Sequence, residues 1–252
     1  MKWRAALAFL AGAVLAGCGG PDVPPGATPV DTLAHAEKKM ADEDYLDAVT
    51  ILEGFIRANP GASLVPQAKL RLGDARYELD DFALARAEYE DIVRDFPSSP
   101  LVEEARWKIV RCSYASIHGY DRDPTETEQT VALAESLLRD YPNTKFSAEV
   151  NKVLAECRDR LGRREFETGK FYERRGRPRS ALIQYEFVST HYPDTDWGRK
   201  SLLRIGEIHR DRHEVDQAAA SFQKLMEVAP GSEEAKVAQT YLAEMGTMGP
   251  VP

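Results

Sequence analysis

Five apolar segments of the chain each run into a proline, and the residues before these prolines keep a common register. The prolines are Pro60, Pro97, Pro142, Pro193 and Pro230. Five positions earlier each segment has an apolar residue, namely Phe55, Ile92, Leu137, Val188 or Leu225. Eight positions earlier stand Leu52, Tyr89, Ala134, Tyr185 and Phe222. Small residues prevail 12 positions earlier, at Ala48, Ala85, Thr130, Ala181 and Ala218, and 24 positions earlier, at Ala36, Gly73, His118, Gly169 and Gly206.

This register predicts pairs of closely crossing helices. Small residues allow one helix to approach another, larger residues fill the crevice between them, and the proline stops the second helix. The layout is that of a helix–turn–helix repeat of roughly 34 residues, the tetratricopeptide pattern. We therefore predict an all-α tetratricopeptide-repeat solenoid of about five helix pairs plus a C-terminal capping helix. Such repeats form docking surfaces and carry no chemistry of their own.

The predicted helices follow from the apolar periodicity between the prolines. We place the pairs at 31–41 with 44–58, 65–79 with 82–95, 101–117 with 125–140, 146–174 with 177–191, and 196–211 with 214–228, and a closing helix at 232–245.

Two insertions interrupt the array, because successive prolines are 37, 45, 51 and 37 residues apart. One lies in the third repeat, at residues 117–124, and explains why His118 departs from the small-residue register. The other lengthens the first helix of the fourth repeat by roughly four turns. Insertions in solenoids map to one face and often mark a binding site.

The first 17 residues have the pattern of an export signal. Lys2 and Arg4 give a basic start, Ala5 to Val14 an apolar run, and small residues follow up to Cys18. The apolar run is too short for a comfortable membrane span, which favours a cleaved signal peptide.

The residues around Cys18 indicate how the exported chain is anchored. Leu15-Ala16-Gly17-Cys18 resembles the lipobox of bacterial lipoproteins, which implies that Cys18 becomes the mature N-terminus and carries acyl chains. Each buried methylene contributes about 0.8 kcal/mol, so several chains hold firmly. The residue after this cysteine is Gly19 rather than an aspartate, which resembles lipoproteins that are sorted to the outer membrane. We predict a lipid-anchored protein on the periplasmic face of the outer membrane; the alternative is a plain signal peptide with an incidental cysteine.

The chain beyond the signal is predicted to divide into a tether, three groups of repeats and a tail. The tether is rich in proline and glycine, and the tail is expected to be disordered. The predicted segments are the signal peptide 1–17, the lipidated cysteine and tether 18–30, repeats 1 and 2 at 31–104, repeat 3 with its inserted loop at 105–145, repeats 4 and 5 with the capping helix at 146–245, and the tail 246–252.

Charge is segregated along the sequence. The formal net charge of −8 argues against a nucleic-acid binder. Residues 31–104 carry a net charge of −9, whereas residues 158–179 carry +5. Because a solvated helix usually intersperses its charges, this split suggests two different docking surfaces.

The residues with reactive or ligating side chains do not form a catalytic set. His209 and His213 lie one turn apart, but no third metal ligand accompanies them. Cys112 and Cys157 fall on first helices of neighbouring repeats, so they form either a disulfide or small core-filling side chains. We predict a protein without an active site, a cofactor or a metal.

An arginine-rich turn in the fourth repeat is the first candidate binding site. The sequence E-R-R-G-R-P-R contains Arg174, Arg175, Arg177 and Arg179. Arginine is well suited to interface ion pairs and bidentate contacts with carboxylates. An acidic partner is therefore expected here, and the alternative is an ordinary solvated turn.

A groove on the first helix of the second repeat is the other candidate. With Gly73 at the eighth position of the repeat, Leu70, Asp74, Tyr77 and Glu78 fall on its concave face. A tyrosine with acidic neighbours could hold an extended or unfolded segment. The alternative interpretation is ordinary packing between repeats.

The lipobox cysteine, the short tether and the five repeats together resemble the BamD family, the lipoprotein subunit of the outer-membrane β-barrel assembly machine. The similarity is carried by D-R-D-P at residues 121–124, F-Y-E-R-R-G at residues 171–176, and the helix ends R-D-F-P and R-D-Y-P. The resemblance extends over nearly the whole chain after the signal peptide.

This resemblance implies a non-enzymatic scaffold with several partners. The N-terminal repeats would recognise unfolded barrel precursors, and the C-terminal repeats would bind the barrel-forming subunit BamA. The inserted loop, with Asp121, Arg122 and Asp123, is expected to join the partner-binding surface, and other lipoproteins of the machine are further expected partners. The alternative is a tetratricopeptide lipoprotein that coordinates peptidoglycan synthesis or Tol-type constriction. Proteins of that kind usually lack the D-R-D-P insertion and carry an N-terminal coiled coil.

Overall fold

The computed structural model describes residue 23, residues 26–117 and residues 123–247. Over these ranges the protein forms eleven α-helices and no β-strand. They are α1 (Pro29–Ala41), α2 (Tyr45–Ala58), α3 (Val65–Glu78), α4 (Phe82–Asp95), α5 (Val102–Ala115), α6 (Thr125–Asp140), α7 (Ser147–Arg174), α8 (Pro178–His191), α9 (Asp196–Asp211), α10 (Val215–Val228) and α11 (Glu233–Thr247).

The predicted helices are confirmed, and their bounds differ from the prediction by at most two residues. The second helix of each pair ends two residues before its proline, as at Ala58 before Pro60 and Val228 before Pro230. Proline disfavours helical backbone at the residue before it and donates no amide hydrogen, so all five second helices stop at the same register position.

The register residues are buried in every second helix. The positions 5, 8 and 12 residues before each proline are all buried. Thr130 stands where the other four repeats have alanine, and its hydroxyl lies 2.8 Å from Ser113 Oγ and donates to the Glu126 carbonyl oxygen, also at 2.8 Å. These hydrogen bonds offset the cost of burying a hydroxyl in the core.

Glycines in α7 and α9 let the aromatic residues of the following helices lie directly against the backbone. A Cβ atom on Gly169 would lie only 2.6 Å from the ring of Tyr185, and one on Gly206 would be closer still to the ring of Phe222. These contacts explain why the position 24 residues before the proline is small, since a side chain there would push the paired helices apart.

In repeats 1, 2, 4 and 5 the turn between the two helices has one left-handed residue. Its φ angle is 62° at Glu43, 61° at Asp80, 66° at Gly176 and 58° at His213. Glycine adopts this conformation without steric cost, whereas other L-residues are disfavoured there by contact between Cβ and the backbone. In the described turns, only the arginine-rich one has glycine at this position.

The chain is divided into two compact units, the first ending at Asp80 and the second beginning at Asp81. The first unit contains α1 to α3, which enclose a core of Leu33, Ala36, Ile51, Leu52, Phe55, Ala68 and Leu72. Thr28 caps α1 by accepting from the Asp31 amide at 3.2 Å, and the Asp31 side chain accepts from the Thr28 amide at 3.0 Å. This reciprocal capping box satisfies amides at the start of the helix.

The second unit contains α4 to α11, each packed against the next helix in sequence. First helices also contact the first helices that follow them, α5 with α7 and α7 with α9, and α9 contacts α11. This double pattern of contacts is that of stacked helix pairs. The last helix, α11, covers the apolar faces of α9 and α10 through Ala238 and Tyr241, as predicted for a capping helix.

The helix α7 is far longer than the others, as the proline spacing predicts. It has 28 residues, and Val150 near its start belongs to the same core as Leu137 of α6. Phe166 near its end belongs to a second core with Tyr185 of α8 and Ile205 of α9. One uninterrupted helix thus contributes to two successive hydrophobic cores.

Cys112 and Cys157 are both buried, and no disulfide joins them. The core-filling interpretation of these residues is therefore confirmed. Burial raises the pKa of the Cys157 thiol to about 11, because the charged thiolate would lose its hydration.

The predicted division into signal, tether, repeat groups and tail stays a prediction. Residues 1–22, 24–25, 118–122 and 248–252 lie outside the described residues. Within the described part, α11 continues to Thr247, two residues beyond its predicted end.

Replacing Gly169 by alanine is expected to destabilise the protein by about 1–3 kcal/mol. The new Cβ would collide with the Tyr185 ring, which cannot withdraw freely because its hydroxyl donates to Glu173 at 2.6 Å. The matched control is Gly54→Ala in α2, where nothing lies within 4 Å of the added carbon. Helix propensity predicts that this control gains about 1 kcal/mol. Urea unfolding followed by circular dichroism measures both changes, and unchanged stability of Gly169→Ala would contradict the packing argument.

Both buried thiols are expected to resist alkylation at pH 8 in the folded protein and to react once it is unfolded. In a Cys18→Ala chain, mass spectrometry after iodoacetamide treatment should find no modified thiol in buffer and two in guanidinium chloride. Fewer than two modified thiols after unfolding would instead indicate a disulfide.

The raised pKa of Cys157 also predicts that the free energy of unfolding falls as the pH rises from about 9 towards 11, because only the unfolded chain then releases the thiol proton.

Candidate functional site

The arginine-rich turn joins α7 to α8 and is fully on the surface. Arg174 is the last residue of α7, Arg175 follows as its C-cap, and Arg177 precedes Pro178, the first residue of α8. The side chains of Arg174, Arg175, Arg177 and Arg179 are all exposed. The helix end and the left-handed glycine thus place four guanidinium groups within six consecutive positions.

These four arginines make no ion pair with any carboxylate in the described part of the chain. Elsewhere arginines are commonly paired, as Arg158 is with Asp194 at 2.7 Å and Arg76 with Glu53 at 2.7 Å. The guanidinium of Arg175 instead lies 4.6 Å from the ring centroid of Phe171, which is 42% exposed. Aromatic residues and arginines are enriched among the residues that contribute most of the binding energy at interfaces, and here an exposed ring lies beside unpaired arginines.

Glu173, the acidic residue within the turn sequence, is directed away from the arginines. Its carboxylate accepts a hydrogen bond from the Tyr185 hydroxyl at 2.6 Å and pairs with Arg204 of α9. Burial, followed by the hydrogen bond to Glu173, raises the pKa of the Tyr185 hydroxyl. Because Arg204 neutralises Glu173, the positive charge of the turn stays uncompensated.

The predicted loop site is only partly described. Asp121 and Arg122 lie outside the described residues, whereas Asp123 is exposed at the start of α6. Its carboxylate accepts from the Thr125 hydroxyl at 2.6 Å and from the Thr125 amide at 3.0 Å. These hydrogen bonds lower the pKa of Asp123. The structure thus shows Asp123 supporting the start of α6, and its part in partner binding remains a prediction.

The four residues of the predicted groove differ in accessibility. Leu70 is only 3% exposed, so it belongs to the packed interior and cannot line an open groove, which corrects the prediction. Asp74 and Tyr77 are half-buried, and Glu78 is exposed. Asp74 accepts from Arg71 at 3.3 Å. The core and groove positions adjoin on one helix, so periodicity alone did not separate Leu70 from its neighbours.

Lys170 and Arg204 are cationic residues near the turn that the sequence did not identify. Lys170 is four residues before Arg174, so the two side chains share a face of α7, and this spacing was the available signal. Arg204 comes from α9, the next first helix, and only the packing of α9 on α7 brings it to this place. Cys18, the predicted lipidation site, lies outside the described residues.

The helix pairs and their stacking define the protein as a tetratricopeptide-repeat protein. A solved tetratricopeptide-repeat protein from Bacteroides fragilis matches with a TM-score of 0.52, covering 86% of this chain and 99% of that one, at 11% sequence identity. This likeness shows the fold alone.

The family follows from the sequence match. The model of the YfiO family, described as outer membrane lipoprotein, matches residues 26–225, and the chain belongs to this family. A Vibrio cholerae protein named outer membrane protein assembly factor BamD is 28% identical over 216 residues, covering 80% of this chain and 88% of that protein. A protein of the same name from Caulobacter vibrioides is 24% identical over 207 residues, with 80% and 68% covered.

These matches confirm the family resemblance and describe a non-enzymatic, outer-membrane-associated protein. Within residues 26–117 and 123–247, none of the helices combines the length and apolar character needed to cross a bilayer.

Proposed function

We propose that the protein is a lipid-anchored periplasmic scaffold in the assembly of outer-membrane β-barrel proteins. Its relatives are named as assembly factors of outer membrane proteins, which supports this role. In this proposal the C-terminal repeats bind the barrel-forming subunit, BamA in the resemblance, and the N-terminal repeats bind unfolded barrel precursors. The observation that carries the proposal is the unpaired arginine turn after α7.

The arginine turn is suited to an acidic folded domain. Its four guanidinium groups are exposed and have no ion-pair partner in the described chain, so binding breaks no ion pair within the protein. Arginine pairs bidentately with carboxylates, and Phe171 offers an apolar anchor beside them. Attraction to an acidic surface also accelerates association and weakens with salt.

The N-terminal repeats offer a different chemistry. Asp74, Tyr77 and Glu78 lie along α3 within two turns of the helix, and the carboxylate of Glu78 contributes, after burial, to the raised pKa of Tyr45 on α2. Aromatic and acidic groups thus lie together on α2 and α3 of the first unit. Such a surface suits an extended segment with apolar and basic side chains, as an unfolded precursor supplies.

The anchor completes the proposal. With acyl chains on Cys18 and a tether to residue 30, the repeats would remain close to the membrane into which barrels are inserted. Asp121, Arg122 and Asp123 of the inserted loop would add contacts to the partner surface.

Depleting the protein is expected to lower the amount of folded outer-membrane barrels, because precursors lose a docking scaffold. Restoring it with the charge-reversed variant Arg174→Glu with Arg175→Glu should rescue barrel levels only in part. Affinity purification at low salt should recover less of the barrel-forming subunit with this variant than with the original chain. Heat-modifiability of barrels on gels measures folding.

The control for this experiment is Arg139→Glu, at an exposed arginine of α6 that is not part of the turn after α7. This control also replaces a positive side chain by a negative one, and it should retain binding of the barrel-forming subunit. Normal barrel levels after depletion would contradict the assembly role. Unchanged recovery of every partner with the double variant would contradict docking at the turn.

Replacing Cys18 by alanine should leave the precursor unprocessed or release the protein into the periplasm, because no acyl chain can be attached. Fractionation of membranes and periplasm, with mass spectrometry of the N-terminus, measures the outcome. Continued attachment to the outer membrane would show that the anchor lies elsewhere.

A further inference from the structure

A groove between α7 and α9 adjoins the arginine turn. It has a volume of about 590 Å³ and is lined by Phe166, Lys170, Glu173, Arg174 and Arg204. This volume falls within the range of about 300–1,000 Å³ that is typical of ligand sites. Phe166, 6% exposed, forms the floor and packs against Tyr185 and Trp197 at centroid distances of 5.2 and 5.3 Å. The groove therefore has a rigid aromatic base.

Arg174 is the cation of the groove that is left without a carboxylate partner in the described chain. Three of its five lining residues are cations and one is a carboxylate. Glu173 is occupied by Arg204 and by the Tyr185 hydroxyl, and Arg204 pairs in addition with Glu207. Lys170 reaches Glu167 on its own helix at 3.1 Å and stands 6.0 Å from the centre of the Phe166 ring. Arg174 is exposed and contributes the open position for an external carboxylate.

We propose that this groove binds an extended acidic segment of a partner protein. An Asp or Glu side chain of the segment pairs with Lys170 and Arg174, and a neighbouring apolar side chain lies on Phe166. This site differs from the docking surface proposed for the arginine turn. It has Phe166 at its base and binds an extended segment rather than a folded domain, and the two sites share only Arg174. It does not depend on which complex the protein joins.

The chain itself indicates that the groove suits a carboxylate. Glu173 accepts from Nε of Arg204 at 3.3 Å and also from Nη2, so a carboxylate already occupies a guanidinium fork inside the groove. This fork matches the planar carboxylate geometry. A recessed site between two helices, with an aromatic floor, favours an extended peptide over the headgroups of a flat lipid surface.

Removing a cation from the groove and removing a carboxylate from it are expected to change the affinity for the acidic segment in opposite directions. Replacing Lys170 by glutamine removes a cation that faces the incoming carboxylate and should weaken binding about tenfold. Replacing Glu173 by glutamine removes one negative charge from the groove lining, while Glu207 still holds Arg204 in place, and it should strengthen binding about threefold. A purely structural role of Glu173 would not produce tighter binding.

The test measures fluorescence anisotropy with the full chain purified in detergent at low salt. The probe is a labelled peptide, acetyl-Gly-Ser-Asp-Phe-Asp-Leu-Ser-Gly-amide, and its matched control has Asn in place of both Asp residues. The control variant Lys224→Gln changes an exposed lysine on α10 and should bind like the original chain. Circular dichroism verifies that each variant is folded, and the Lys170 comparison stands even where Glu173→Gln is unstable.

Further measurements distinguish peptide binding in the groove from binding at the arginine turn and from binding of lipid. The variant Arg177→Gln with Arg179→Gln removes two cations of the turn and none of the groove, and at about 0.15 M salt, where the screening length is about 8 Å, it should keep its affinity for the peptide to within about threefold. Equal affinity for the Asn peptide, or an unchanged affinity in Lys170→Gln, would overturn the proposal. It would also be overturned if the turn variant lost binding entirely. Binding of phosphatidylglycerol vesicles through Lys170 without binding of the peptide would assign the groove to a headgroup instead.

Discussion

The contact between an aromatic ring and the glycine of the preceding helix is the interaction on which the C-terminal repeats depend. Where Tyr185 lies against Gly169, its ring contacts the backbone of α7 directly, because no Cβ stands between them. The same ring places its hydroxyl on Glu173, which turns that carboxylate towards Arg204. The packing of one ring therefore also determines which charges remain unpaired at the end of α7.

The fold was predictable because its signals repeat. Proline ended each second helix and small residues marked each crossing, so the errors in helix bounds stayed within two residues. The length of α7 also followed from the spacing of the prolines, since an added stretch without a turn signal must extend a helix. Thr130 takes the place of the alanine of the other four repeats, and the core is kept because Ser113 supplies its hydroxyl with a hydrogen-bond partner.

The candidate site was less predictable because it depends on contacts between repeats. The arginine turn is contiguous in sequence, so its charge could be read directly. The groove needs Arg204, which lies 30 residues from Arg174 in sequence, and no periodicity indicates that the two residues line the same groove. The sequence likewise left Leu70 among groove residues, since a helix carries core and surface positions only one residue apart.

The uninterrupted helix α7 has a mechanical consequence. Its 28 residues span about 42 Å, and no joint separates the core around Val150 from the core around Phe166. A helix of this kind resists bending, so a displacement at one end is carried to the other as a rotation of a rigid rod rather than absorbed at a loop. A force applied at Arg174 would therefore be transmitted along α7 to the third repeat.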